Sequence, residues 1–88
     1  MEINDFLNKL KLGFNIKRPT LNTNYTLCNN IKIRIINDCV FNNKHVYAIK
    51  IYTKYFKDRI MIPICLIEKF EVIGDMLVIN DGLAFKNA

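Results

Sequence analysis

The sequence predicts an α+β domain: an N-terminal helix packed on a strongly bent antiparallel sheet or a small five- to six-stranded barrel. Three observations predict it. Ile31-Lys32-Ile33-Arg34-Ile35 alternates apolar and cationic side chains at period two, the pattern of a half-buried strand. His45–Tyr55, Arg59–Ile64 and Met76–Asn80 follow as further runs rich in Ile, Val and Tyr, with short breaks between them. Near the N-terminus, Ile3, Phe6, Leu7 and Leu10 fall at i, i+3, i+4 and i+7, one apolar stripe of a helix.

The elements follow in chain order within one domain over residues 1–88. Residues 1–13 form the helix. Asn4 or Asp5 caps its start by accepting from an orphan N–H, Lys9 and Lys11 suit its negative end, and Gly13 stops it. So short a helix is unstable alone, and its stripe must dock on the sheet. Residues 14–24 are a connector, where Pro19 holds Arg18 extended and leaves Lys17 and Arg18 in solvent. Residues 25–88 form an antiparallel meander punctuated by Asn and Gly. Asn29-Asn30 and Asn42-Asn43 read as tight hairpin turns, because Asn tolerates positive φ. Asn37-Asp38 reads as a bulge, Gly74-Asp75 as a third hairpin and Asp81-Gly82 as a final turn. Pro63 belongs at a strand end, and residues 64–69 fit one helical turn. SH3-like and PH-like barrels share such a meander, an analogy of architecture alone. The expected core is Ile3, Phe6, Leu7, Leu10, Ile33, Ile35, Ile49, Ile51, Ile62, Leu77 and Ile79.

Eighty-eight residues, half of them apolar, suffice for one modest core. Ile, Asn and Lys occur 14, 12 and 10 times, which reads as AT-rich coding rather than as a requirement of the fold. The net charge of +5 is unevenly spread. From Lys9 to Arg59 there are 11 cations against Asp38 and Asp58, whereas the chain beyond holds two Lys and four acids. Such a basic body is the footprint of an anion-binding surface, and equally of solubilising charge.

Cys28, Cys39 and Cys65 are odd in number and lack a CxxC pair, and His45 is the only histidine, so no zinc set and no cofactor is expected. The cysteines read as reduced, buried small side chains of a cytoplasmic protein. The N-terminus lacks a basic, apolar leader, and the longest apolar run, Ile60 to Ile67, is too short to span a bilayer, so no membrane partner is expected.

Period two on the His45–Tyr55 run sends Ile49 and Ile51 inward and Lys50, Tyr52 and Lys54 outward, beside Lys32 and Arg34 of the neighbouring strand. A tyrosine among cations offers a stacking platform next to phosphate-binding charge. The same pattern also describes a solvated face on which Lys discourages edge pairing. Residues 54–59, with Tyr55, Phe56 and three cations, form a second candidate at a loop tip. Catalysis finds little support. Only Cys39 and His45 could approach as a thiol–imidazole pair, across the Asn42-Asn43 turn, and three glycines leave little backbone for a phosphate or oxyanion nest.

The opening Met1-Glu2-Ile3-Asn4-Asp5-Phe6 is similar to the start of a phage anti-CRISPR protein, of a class that blocks a Cas nuclease. The likeness ends at Phe6, and that class member is acidic where this chain is basic, so no residue role is carried over. It does place a protein-binding inhibitor among the functions to consider.

The leading expectation is a non-enzymatic nucleic-acid-binding protein using Lys32, Arg34, Lys50, Tyr52 and Lys54, with Lys17 and Arg18 adding charge. The partner is DNA or RNA. The alternative is a small phage- or plasmid-type inhibitor or adaptor that binds a host protein, such as a defence nuclease, by docking the same face or an exposed strand edge on an acidic surface of that partner. An edge strand offers a route to a homodimer.

Overall fold

The structure is a computed structural model that describes residues 1–54 and 60–86. Helix α1 (Ile3–Gly13) leads into two antiparallel sheets. The first contains β1 (Asn24–Thr26), β2 (Lys32–Phe41), β3 (Lys44–Tyr52) and β4 (Ile60–Pro63), in that spatial order. The second contains β5 (Phe70–Ile73), β6 (Met76–Ile79) and β7 (Leu83–Lys86), also in chain order. Both are meanders, as expected. The single bent sheet or barrel is corrected to two sheets, which no ladder joins among the described residues.

The division falls after Pro63, where a 3-10 turn (Ile64–Leu66) leads out of the first sheet. A one-turn connector was expected there, but a fresh sheet beyond it was not. Asn80 fixes this crossing. Its side-chain oxygen accepts from the Glu68 and Lys69 N–H groups at 2.7 and 2.9 Å, and its amide nitrogen donates to the Leu66 carbonyl at 2.7 Å. The loop of the β6–β7 hairpin is thereby tied to the link between the sheets.

One core lies between the sheets and the helix. Phe6 and Leu10 of α1, Ile33 and Ile35 of β2, Ile49 and Ile51 of β3, and Leu77 and Ile79 of β6 are fully buried. Ile3, Leu7 and Ile62, expected inside, are half-buried against it. Ile31, Ile64, Ile67, Phe70 and Phe85 complete it. Phe70 meets Phe6 edge-on with ring centres 5.0 Å apart, joining the helix to the second sheet. Packed aromatic pairs of this kind contribute about 0.5–1.5 kcal/mol beyond the area they bury.

The helix starts and stops differently from expectation. Glu2, not Asn4 or Asp5, is the capping residue, and it makes no side-chain cap bond. The Met1 ammonium group instead donates to the Ile67 carbonyl at 2.7 Å and anchors the start. Asp5 still lies in the first turn, where its charge suits the dipole. At the other end Gly13 is the last helical residue, and Asn15, at φ 56°, makes the left-handed turn.

The turns follow Asn. Asn42 and Asn43, at φ 50° and 62°, close a two-residue hairpin between Phe41 and Lys44. Gly74-Asp75 closes another between Ile73 and Met76, and the β2–β3 register slips at Asp38, the expected bulge. The Asn29-Asn30 hairpin is corrected. Residues 28–30 form a 3-10 turn inside a five-residue loop, and Thr26 pairs with Lys32. The register is therefore Asn24 opposite Arg34, one residue off what a two-residue turn gives, so Tyr25 pairs with Ile33 on the core side.

Candidate nucleic-acid interface

The outward face of the first sheet is built by register. Arg34 stands opposite Lys50, and Lys32 opposite Tyr52. The pairing continues outward to Asn24 on β1 and Met61 on β4, giving the row Asn24–Arg34–Lys50–Met61. On one side of it lies the row Thr26–Lys32–Tyr52, and on the other Ile36–Ala48–Pro63. Ile33, Ile35, Ile49 and Ile51, one residue out of phase, fill the core behind. The alternation that makes the strands half-buried thus also collects the cations on one face.

Four of the seven site residues read from the sequence, Lys32, Arg34, Lys50 and Tyr52, come together there. Lys32 is exposed; Arg34, Lys50 and Tyr52 are half-buried. Lys54 is exposed just past the end of β3. Lys17 and Arg18 are exposed on the connector. The contact that holds Arg18 is its carbonyl accepting from the Tyr25 hydroxyl at 3.4 Å, and Tyr25 lies on the core side of β1. Among the described residues no contact brings Lys17 or Arg18 onto the outward face. The second candidate, the loop through Tyr55, Phe56, Lys57, Asp58 and Arg59, lies outside the described residues.

Asn24 lies in the same row as Arg34 and was not foreseen. Its side-chain oxygen accepts from Arg34 Nε at 2.8 Å and steers the guanidinium across β1. Only the true β1–β2 register reveals this pairing. Met61, 46% exposed beside Lys50, was likewise hidden in an apolar run.

Charge is partitioned between the sheets. Among the described residues both ion pairs lie in the second sheet and its turns: Lys69–Asp81 at 2.8 Å and Lys86–Asp75 at 3.8 Å. Hydrogen bonding to Asp81 holds the Lys69 ammonium above its usual range. Lys32, Arg34 and Lys50 have no carboxylate partner among the described residues.

The cysteines depart from expectation, since Cys39 and Cys65 are exposed and Cys28 is half-buried. Burial pushes the Cys28 thiol up, its own backbone N–H opposes this, and Asp75 adds to it. Cys39 pairs with Val46, so its side chain lies across the strand plane from His45. Instead the Asn37 side-chain Nδ2 donates to the His45 ring Nδ1 at 2.9 Å. No group of three or more His, Cys, Asp or Glu among the described residues is placed to hold a metal ion. No helix among them is long and apolar enough to cross a membrane.

In comparison with known proteins, no family model, no curated protein and no solved structure matches the chain.

Proposed function

We propose that the protein binds nucleic acid without catalysis, through the outward face of the first sheet. One observation carries this reading. Arg34 and Lys50 are direct cross-strand neighbours, unneutralised by any described carboxylate, on the two interior strands. Like charges directly opposite one another destabilise a sheet. Lysine used against edge pairing belongs on outer strands, and β2 and β3 are not outer strands. The pair therefore works against the fold, whereas a polyanion would neutralise both charges at once. Lys32 beside Tyr52 adds a cation next to an aromatic ring, the combination that holds phosphates and stacks bases. Lys54, with Lys17 and Arg18 at longer range, extends the positive field.

The test is affinity against salt. If Lys32, Arg34, Lys50 and Lys54 all engage phosphates, the log–log slope is about −3 for a single strand and about −3.6 for duplex. Replacing one of them flattens it by roughly one unit at most and weakens all sequences alike. No binding to DNA or RNA at about 50 mM salt would remove this reading.

A second reading, an inhibitor of a host protein of phage or plasmid type, draws on the apolar tip of the β2–β3 hairpin. There Val40 and Phe41 are 62% and 67% exposed. That reading predicts losses concentrated at those two residues and weak dependence on salt. Three free thiols suit a cytoplasmic setting for either role.

A further inference from the structure

We infer that the nucleic acid held by this face is single-stranded, with its bases laid against the apolar parts of the sheet; the inference rests on the nucleic-acid reading above. The cations do not stand alone. Tyr52 flanks them at one end, and half-buried Ile36 and Pro63, on either side of the buried Ala48, lie one step beyond Arg34 and Lys50 at the other. Met61 closes the cationic row at its β4 end. Phosphate-binding charge is thus interleaved with apolar and aromatic surface at the spacing of neighbouring strands, about 4.8 Å, and of alternate residues along a strand, about 6.7 Å.

A duplex has no use for that interleaving. Its base faces are stacked inside, and it offers a surface only phosphates, sugars and groove edges. The major groove, about 12 Å wide, admits a helix or a two-stranded ribbon. The face here spans four strands, about 14 Å from β1 to β4, so it is too broad to enter. Helix α1 packs on the core side through Phe6 and Leu10, so among the described residues no helix projects from the outward face. The part of the β2–β3 hairpin beyond β1 and β4 is narrow enough, but it carries Asp38, Val40 and Phe41 with a single Lys, Lys44. Laid on a duplex, the face would set Tyr52, Met61 and Ile36 against the sugar–phosphate backbone. An unpaired strand instead offers base faces that stack on such side chains whatever their sequence, while its phosphates reach Lys32, Arg34 and Lys50.

Fluorescence anisotropy with the full chain at low salt separates the outcomes. Three labelled probes of equal length are compared: an unpaired oligo-dT or oligo-U strand, the same backbone carrying abasic sugars, and a mixed-sequence duplex. The unpaired strand is expected to bind at least tenfold more tightly than either of the others. Tyr52→Ala should lose at least fivefold toward it, with the salt slope kept and a native melting curve, and Tyr52→Phe should lose little. Equal or tighter binding of duplex overturns the inference and leaves the nucleic-acid reading standing. Equal binding of the abasic strand shows a contact with phosphates alone and also overturns it. Failure of all three probes removes the nucleic-acid reading, and the inference falls with it.

Discussion

Arg34 shows how much one side chain depends on the register of its strand. Period two along β2 sends it outward, and the five-residue loop before β2 puts Asn24 beside it. A single-residue slip would replace Asn24 with Tyr25, lose the Nε bond and turn a core contact outward. The register of β3 is equally constrained by Ile49 and Ile51, both fully buried. Ile49→Ala leaves a cavity between the sheets and should cost about 2–5 kcal/mol in chemical denaturation. A change below about 0.5 kcal/mol would mean that Ile49 does not face the core. The thiols give a second check at this scale. Thiolate is the reactive form, and partial burial holds Cys28 protonated. With a thiol reagent at mildly alkaline pH, Cys39 and Cys65 should react in a fast phase and Cys28 in a slower one that accelerates as pH rises. Three equal rates would contradict the burial of Cys28.

At the scale of elements, asparagine does the work usually given to glycine. Among the described residues, six of the seven non-glycine residues at positive φ are Asn, at positions 15, 22, 30, 42, 43 and 80, and the seventh is Asp81. Asparagine abundance that reads as codon bias therefore has a structural role, because Asn pays less than other side chains for left-handed backbone. Asn80 adds three side-chain hydrogen bonds to its backbone role. Asn80→Gly keeps the backbone and loses the bonds, and should destabilise by about 1–2 kcal/mol. Asn80→Ala adds left-handed strain and should cost about 1–2 kcal/mol more. Equal stability of Asn80→Gly and the native chain would remove Asn80 as the tie between the sheets. Legibility followed the same physics. Ile33, Ile35, Ile49 and Ile51 could be read because a half-buried strand repeats every two residues. Ile31 shares that phase although it lies just outside β2, whereas Ile64 and Ile67 could not be read, since they are buried in a turn and a connector, where burial has no period. Four of the seven site residues followed from the same alternation. Asn24 did not, because a 3-10 turn and a two-residue hairpin look alike in Cys28-Asn29-Asn30 yet differ by one in register.

For the whole molecule, the two sheets share a core and divide the charge. The second sheet pairs Lys69 and Lys86 with Asp81 and Asp75. The first leaves Arg34 and Lys50 facing each other without a described carboxylate. Chain order already hinted at this, since 11 of the 13 cations precede Ile60 whereas four of the eight acids follow it. The boundary between the sheets, just after Pro63, converts that gradient along the chain into two surfaces. The central claim is that the first surface keeps its repulsion because it binds a polyanion, and Lys50→Glu tests it most directly. The substitution places a carboxylate opposite Arg34 and replaces repulsion with attraction across β2 and β3, so it should stabilise the fold by about 0.5–1 kcal/mol and raise Tm by a few degrees. The account predicts that rise together with at least a tenfold loss of affinity for nucleic acid at low salt, measured on one sample by melting and by fluorescence anisotropy. Affinity equal to that of the native chain, in a Lys50→Glu protein that melts normally, would contradict it.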